Sequence, residues 1–390
     1  MKVTDASEIV NSLYKQMTGQ SDIATVDNSN IVDIGRAIQS SGNDTDVIYR
    51  GLVDRIGKMV IANKSYVAKL PKIYRDGWEF GSILQTVRVK TIDAVADPSY
   101  NPVNGQDYPL TTFNKMDVTQ KFYSDADNFQ LKYWRPMDQL WTAFNSMEEL
   151  TRFFSGIEIA VSTSMEKRLQ ALAKNTINNM IAQTLHKEHP DGNYSTSTDR
   201  AVNLLSLYKA AVPGTILTAE TCNRDPDFLR FVGEVFSNYA DRMTDLSTIY
   251  NIDEEEEFTD KDDLAFTMLS TWANSLKFNL YSDTFHYDLM QLPGFDTTPY
   301  WQSCGEHYDR GVIEEVNVTI KTGDSETATV EASGIVAIMY DRESVAINCE
   351  KNKLTSFYHP DLDQTLFFDK YTAQYINRFD KNFVVFYVAD

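Results

Sequence analysis

Apolar residues recur every three to four positions along one unusually long stretch: Leu150, Phe153, Phe154, Ile157, Val161, Met165, Leu169, Leu172, Ile177, Met180 and Ile181. That period predicts a helix from about residue 147 to about residue 185. Ser146 and Glu149 open it as a capping box, in which the two side chains satisfy orphan backbone donors. It closes near His186, and Pro190 prevents it from continuing. At about 1.5 Å per residue it spans roughly 60 Å, several times the usual globular helix. A helix of that length reads as a structural beam.

The pattern before the helix is different. Residues 1–45 are polar and rich in Ser, Asn and Asp, and read as an arm with short helices over 6–17 and Ile31–Gln39. Residues 47–60 return to helix-like spacing. Residues 76–134 read as an open β-excursion, with alternating strands over 83–89, Val118–Tyr123 and 129–134. Turn chemistry fills 97–105, with Pro98, Pro102 and Gly105. The excursion has few bulky aliphatic residues that could form its own core, so its stability is expected to come from a neighbouring molecule.

After the helix, residues 191–199 are a polar linker. Residues 201–211 read as a helix and 215–219 as a short strand. Residues 227–246 form an amphipathic helix whose apolar face is Phe228, Phe231, Val232, Val235, Phe236, Tyr239, Met243 and Leu246. A helix or strand begins at 266–269, and 277–281 reads as a strand. Residues 312–321 and 327–340 read as a hairpin around Gly323 and Asp324; further strands follow at 344–349, 365–368 and 383–388. The class is α+β, without tandem repeats.

Composition narrows the function. Of 390 residues, 42% are hydrophobic, enough for a packed core. The 21 tyrosines and 21 phenylalanines suit β-structure and large protein contacts. A formal net charge of -20 opposes tight binding of nucleic-acid backbone and of anionic membranes. Cys222, Cys304 and Cys349 are too far apart for metal spacing and odd in number, which points to a reducing cytoplasm. No signal core or membrane-spanning run is visible, so a soluble intracellular product is expected.

Little in the chain carries chemistry. His186 and His189 could share one helix face as part of a metal site. They sit at a helix end, however, where histidines suit the C-terminal dipole, and a solvated terminus is the favoured reading. The acidic run Asp253, Glu254, Glu255, Glu256 and Glu257 lacks the alternation and glycine turn of a calcium loop, and reads as a solvated loop. Cys222 reads as an inert thiol. With no phosphate loop, nucleophile elbow or kinase signature, no catalytic residue, cofactor or metal is expected.

The order of elements (polar arm, extended β-loop, very long helix, α/β region, closing strands) resembles the Hong Kong 97 fold of tailed-bacteriophage major capsid proteins. The stretch Leu52-Val53-Asp54-Arg55-Ile56-Gly57 resembles a segment near the N-terminus of capsid proteins from the phi-29 group. So does the ending: an apolar strand over 335–339, Asp341, a second strand, then a tyrosine-rich run to 383–388. No immunoglobulin-like extension is expected after Asp390, so no role of such a domain is carried over from the resemblance.

The resemblance implies an N-terminal arm at 1–70, an E-loop at 71–140, a P-domain with its spine helix at 141–200, an A-domain at 201–345 and closing P-domain strands at 346–390. It implies a structural shell protein, not an enzyme, that self-assembles through pentamers and hexamers into an icosahedral or prolate head. Its expected partners are a scaffolding protein, a portal protein and weakly contacted packaged dsDNA, with assembly in the bacterial cytoplasm. Pro98, Tyr100, Pro102 and Tyr108 become candidate intersubunit contacts. The run 253–257 becomes a candidate axial loop, where copies of like charge meet. An encapsulin-type compartment shares the fold and is the alternative. A metal-dependent hydrolase using His186 and His189 is the alternative from another class.

Overall fold

In the computed structural model the described residues are 145–282, 294–302, 315–322, 326–359, 361 and 364–390, together with 84–90, 94, 97–100, 102–108, 117–123, 125–136, 30–39 and isolated positions at 10, 11, 14 and 73. The helical readings of 6–17 and 47–60, and the turn at Gly323 and Asp324, lie largely or wholly outside them. Helices are numbered α1 (Ile31–Gln39), α2 (Met147–Glu188), α3 (Leu204–Ala211), α4 (Pro226–Arg242) and α5 (Ser270–Ser282). The class is α+β, as expected. The chain divides into two compact units, and α2 gives its residues up to Ala173 to the first and those from Lys174 to the second.

In the first unit, strands β3 (Ala126–Pro136), β10 (Val345–His359) and β11 (Gln364–Asn377) form a sheet in the order β10-β11-β3, to which β10 gives its residues from Asn348 and β11 those up to Gln374. β3 and β11 pair antiparallel from Gln364 opposite Pro136 to Gln374 opposite Ala126. Two cross-strand aromatic pairs brace that ladder: Phe129 stacks on Tyr371 at 5.3 Å and Tyr133 on Phe367 at 5.4 Å. The α2 stripe is buried at Leu150, Val161, Met165, Leu169 and Ala173. Arg168 forks onto Asp127 at 3.1 and 2.7 Å, tying α2 to β3. Ser146 Oγ accepts from the Glu149 N–H at 3.2 Å, as the cap predicts. The side chains of Phe154 and Ile157 lie outside the described set.

In the second unit a five-stranded sheet runs β4 (Ala201–Asn203), β12 (Phe383–Tyr387), β9 (Ile335–Asp341), β5 (Leu264–Leu269), β6 (Asp296–Thr298). β12 is parallel to β4 and antiparallel to β9; β5 is antiparallel to β9 and parallel to β6. Every residue of β9 and of β12 is buried. Such strands read as continuous apolar runs because both faces are covered. α4 lays much of its predicted apolar face on this sheet, with Phe236 meeting Phe266 at 5.0 Å and Phe386 at 4.9 Å, edge to face, but it ends at Arg242, short of the predicted 246, and Leu246 is exposed. Asp225 caps α4 by accepting from the Phe228 N–H at 2.8 Å, with Pro226 in the first turn.

Four sequence expectations fail here. Residues 201–203 are strand, because pairing with β12 overrides the helical pattern, and Asn203 instead caps α3 by accepting from Leu205 and Ser206. Residues 215–219 form no strand. Residues 277–281 belong to α5, which buries Trp272, Ala273 and Leu276 and leaves Phe278 exposed. The run 327–340 breaks in two. β8 (Thr327–Ala332) pairs with β7 (Val316–Lys321), and β9 departs into the larger sheet.

Gly334 makes that break. It takes φ +73, and a Cβ there would lie 2.3 Å from the Val388 carbonyl oxygen. Its own carbonyl accepts from the Val388 N–H at 2.9 Å. Gly334→Ala should therefore strain the backbone and push on a main-chain atom that cannot move freely, costing at least about 2 kcal/mol. Chemical denaturation checks it; a midpoint unchanged from the parent would contradict the packing described.

Candidate functional site

The alternation of 84–89 builds a hairpin with two unlike faces. β1 (Leu84–Val89) pairs antiparallel with β2 (Val118–Tyr123), Val89 opposite Val118 and Leu84 opposite Tyr123. Residues opposite one another share a face. One face thus carries Gln85, Val87, Val89, Val118, Gln120 and Phe122. Its apolar members are open to solvent: Val87 is 56% exposed, Val89 52%, Val118 53% and Phe122 62%. The other face carries Thr86, Arg88, Thr119, Lys121 and Tyr123, and is half-buried at Thr86, Arg88, Lys121 and Tyr123.

Beyond the hairpin, Pro98–Tyr100 is a 3₁₀ turn. Asp97 Oδ1 accepts from the Ser99 N–H at 2.9 Å, which holds its carboxyl below the usual aspartate value. Tyr100 is 85% exposed. Pro102 and Tyr108 are also exposed, and the Tyr108 hydroxyl accepts from the Val103 N–H at 3.0 Å. Gly105 takes φ +86, a conformation that favours glycine.

The acidic run is not the freely solvated loop its composition suggests. Ser247 and Glu257 exchange two backbone hydrogen bonds of 3.0 Å, and the Asp253 N–H donates to the Phe379 carbonyl at 3.1 Å. Asn251 closes the turn by accepting from the Glu255 N–H at 2.8 Å. Glu254 takes φ +57, and this left-handed residue sends successive side chains apart. Asp253 pairs with Lys121. Glu254 reaches Lys187 at 3.5 Å and Arg200 at 3.6 Å. Glu257 pairs with Lys381 at 2.7 Å and Arg88 at 2.8 Å.

A second layer of charge lies beneath. Arg378 grips Asp380 at 3.2 and 2.7 Å and Glu343 at 3.0 Å. The Tyr123 hydroxyl donates to Asp380 at 3.4 Å, and burial pushes that phenol up to about 12. Burial disfavours the Asp380 charge, but the Arg378 hydrogen bonds outweigh it and hold the carboxyl below its ordinary value. Asp341 goes the other way: burial raises it, against the opposing help of the Glu343 N–H and Lys381. Sequence reasoning missed Arg88, Lys121, Tyr123, Arg378, Asp380 and Lys381. For the first three the signal was present, since a period of two places them opposite Val87, Val89 and Phe122.

His186 and His189 do not converge on a metal. His189 is buried, its Nε2 lies 3.1 Å from the Tyr387 hydroxyl, and its ring packs edge-on against Tyr194 and Tyr387. Burial holds it below the usual histidine value. This corrects the solvated-terminus reading for His189, while His186 stays half-buried. Among the described residues no three His, Cys, Asp or Glu side chains cluster as metal ligands, and no helix is long and apolar enough to cross a membrane. Cys222 is buried, its thiol 3.4 Å from the Ala219 carbonyl.

The site thus combines a part-buried charge layer with an open apolar hairpin face and, among the described residues, no converging ligand set. The family model of Phi29-like phage major capsid proteins matches residues 7–387, and the chain belongs to that family. Its role is that of a structural protein of the phage head shell, located in the virion capsid, and neither the encapsulin nor the hydrolase alternative is favoured. A Hong Kong 97-type fold is consistent with this membership. Among solved structures the chain is similar to that of the capsid of Staphylococcus phage Andhra, at 10% identity over 84% of each chain with a TM-score of 0.48. It is similar to that of the capsid of cyanophage P-SCSP1u, at 11% identity over 82% of this chain and 87% of that one, TM-score 0.45. A structure of native bacteriophage P68, described as head fiber and inner core protein, matches at 10% identity over 83% and 87%, TM-score 0.44. The assignment rests on the family match, not on these likenesses. No curated protein matches the chain.

The charge layer predicts an acid response. The folded pKa of Asp380 lies below its unfolded value of about 3.9. Its stabilisation is therefore complete above that value and is lost as pH falls through the folded pKa. Asp380→Asn should lower stability at pH 7 by about 3 kcal/mol, because it strips a buried guanidinium of its two-pronged partner. The loss should shrink below about pH 4. Thermal melts at pH 7 and pH 3 check this; equal losses at both would remove the charge from the account.

Proposed function

We propose that the excursion at 71–140 is an arm by which each copy clasps its neighbour in the shell. One observation carries this reading: the coplanar apolar face of Val87, Val89, Val118 and Phe122 is open to solvent. Pro98, Tyr100, Pro102 and Tyr108 extend the contact at the tip. In this reading residues 1–70 are an N-terminal arm, 141–200 the P-domain with its spine, 201–345 the A-domain and 346–390 closing P-domain strands. The chain assembles in the bacterial cytoplasm through pentamers and hexamers, on a scaffold and around a portal, without catalysis. The net charge of -20 supports only weak, non-specific contact with packaged dsDNA.

Deleting residues 94–112 should leave the chain folded by circular dichroism and abolish stable shells in sedimentation and electron microscopy. Normal shells from the truncated chain would end the clasp reading.

The acidic run 253–257 is proposed to face the ring axes. Copies of the run facing one another there would repel through their like charges. Salt screens such repulsion over roughly 10 Å at about 0.1 M. Glu255→Gln with Glu256→Gln should make assembly less dependent on salt, read by light scattering. Parallel salt curves for parent and variant would place the run away from the axes.

A further inference from the structure

We infer that the polar face of the β1–β2 hairpin is an electrostatic seat that sets the attitude of the clasping arm, with Arg88 and Lys121 as its positioning residues; this rests on the clasp reading above. Three side chains from one hairpin face meet three carboxylates far away in sequence. Arg88 lies 2.8 Å from Glu257 and 4.0 Å from Asp380, and its guanidinium donates to the Asp380 carbonyl at 3.4 Å. Lys121 pairs with Asp253, and Tyr123 donates to Asp380.

The receiving side is held by contacts of its own, apart from those to the hairpin. Glu257 is held by its paired backbone bonds to Ser247 and by Lys381, Asp253 by the Phe379 carbonyl, and Asp380 by Arg378. Such preorganised acceptors cost little to reorder when cations dock. Because Arg88 bridges two carboxylates, the hairpin is fixed in rotation as well as in distance. The apolar residues Val87, Val89, Val118 and Phe122 all lie on the opposite face, so whatever fixes the polar face also aims the contact face.

A two-stranded hairpin is marginal alone in water. Its amide protection therefore reports whether it is seated. In the full-length protein, Lys121→Glu should raise hydrogen exchange at residues 84–90 and 117–123 by at least about tenfold, while exchange in β9 and β12 stays unchanged. The same should hold for Asp253→Lys. The double exchange, Lys121→Glu with Asp253→Lys, should restore protection to within about threefold of the parent. Shell formation by electron microscopy should fail in each single variant and return in the double one. A merely structural loss of either side chain would not be rescued by swapping the charges. Should a charge reversal prevent folding, Lys121→Gln and Arg88→Gln supply the exchange comparison. Unchanged hairpin exchange in the single variants, or no rescue in the double, overturns the seat. Parent protein that forms no shell, with its scaffold supplied, overturns the clasp reading instead, and the exchange comparison still decides the seat.

Discussion

The requirement that two strands be covered on both faces organises the second unit. Every residue of β9 and β12 is buried, so layers must lie on each side and strands on each edge. α4 supplies one cover through Phe236 and Tyr239, which reach the β12 residue Phe386. The edges are closed by β4 on one side and by β5 and β6 on the other. Asn203 links several of these demands. Its carboxamide caps α3 and also donates to the carbonyls of Tyr194 and Ala389. The turn at 378–382 leads straight into β12, so the charge layer is anchored to a fully buried strand of the sheet. The Asp341 N–H donates to the Asn382 carbonyl at 2.9 Å, joining that turn to the end of β9.

Local chemistry made much of this legible. Ser146 and Pro190 bracket α2, and the strict alternation of Leu84–Val89 and Val118–Tyr123 gives both strands. Where the reading failed, distant partners decided. Ala201–Asn203 looks helical because Leu204 and Leu205 follow it, and only β12, some 180 residues later, makes it a strand. The segment 277–281 contains Phe278 and Tyr281, residues common in strands. It is helical because Trp272 and Leu276 must be buried together one turn apart.

The candidate contact site divides in the same way. The tip residues Tyr100, Pro102 and Tyr108 follow from turn chemistry, and their exposure agrees with it. The seat does not, because Arg88, Lys121, Asp253, Glu257 and Asp380 span nearly three hundred positions and share no spacing. The acidic run illustrates the limit of composition. Five consecutive carboxylates suggest a solvated loop, yet a left-handed Glu254 and two strand-like bonds at Glu257 hand three of them to cations on separate elements.

The parallel pairing of β4 with β12 bears on when the chain becomes competent. β12 sits between β4 and β9, so the sheet lacks its central connection until residues 383–387 are available. Contacts this distant in sequence slow folding, because loop entropy is lost before the pairing rewards it. During synthesis, therefore, α4 and β5 wait with an uncovered sheet, and the two-stranded hairpin, marginal alone, waits for its partners as well. The turn that carries Arg378 and Asp380 is made immediately before β12. Completion of the core and completion of the charge layer beneath the hairpin thus fall together in time, and under the proposed clasp a chain still lacking these residues would hold no aimed arm.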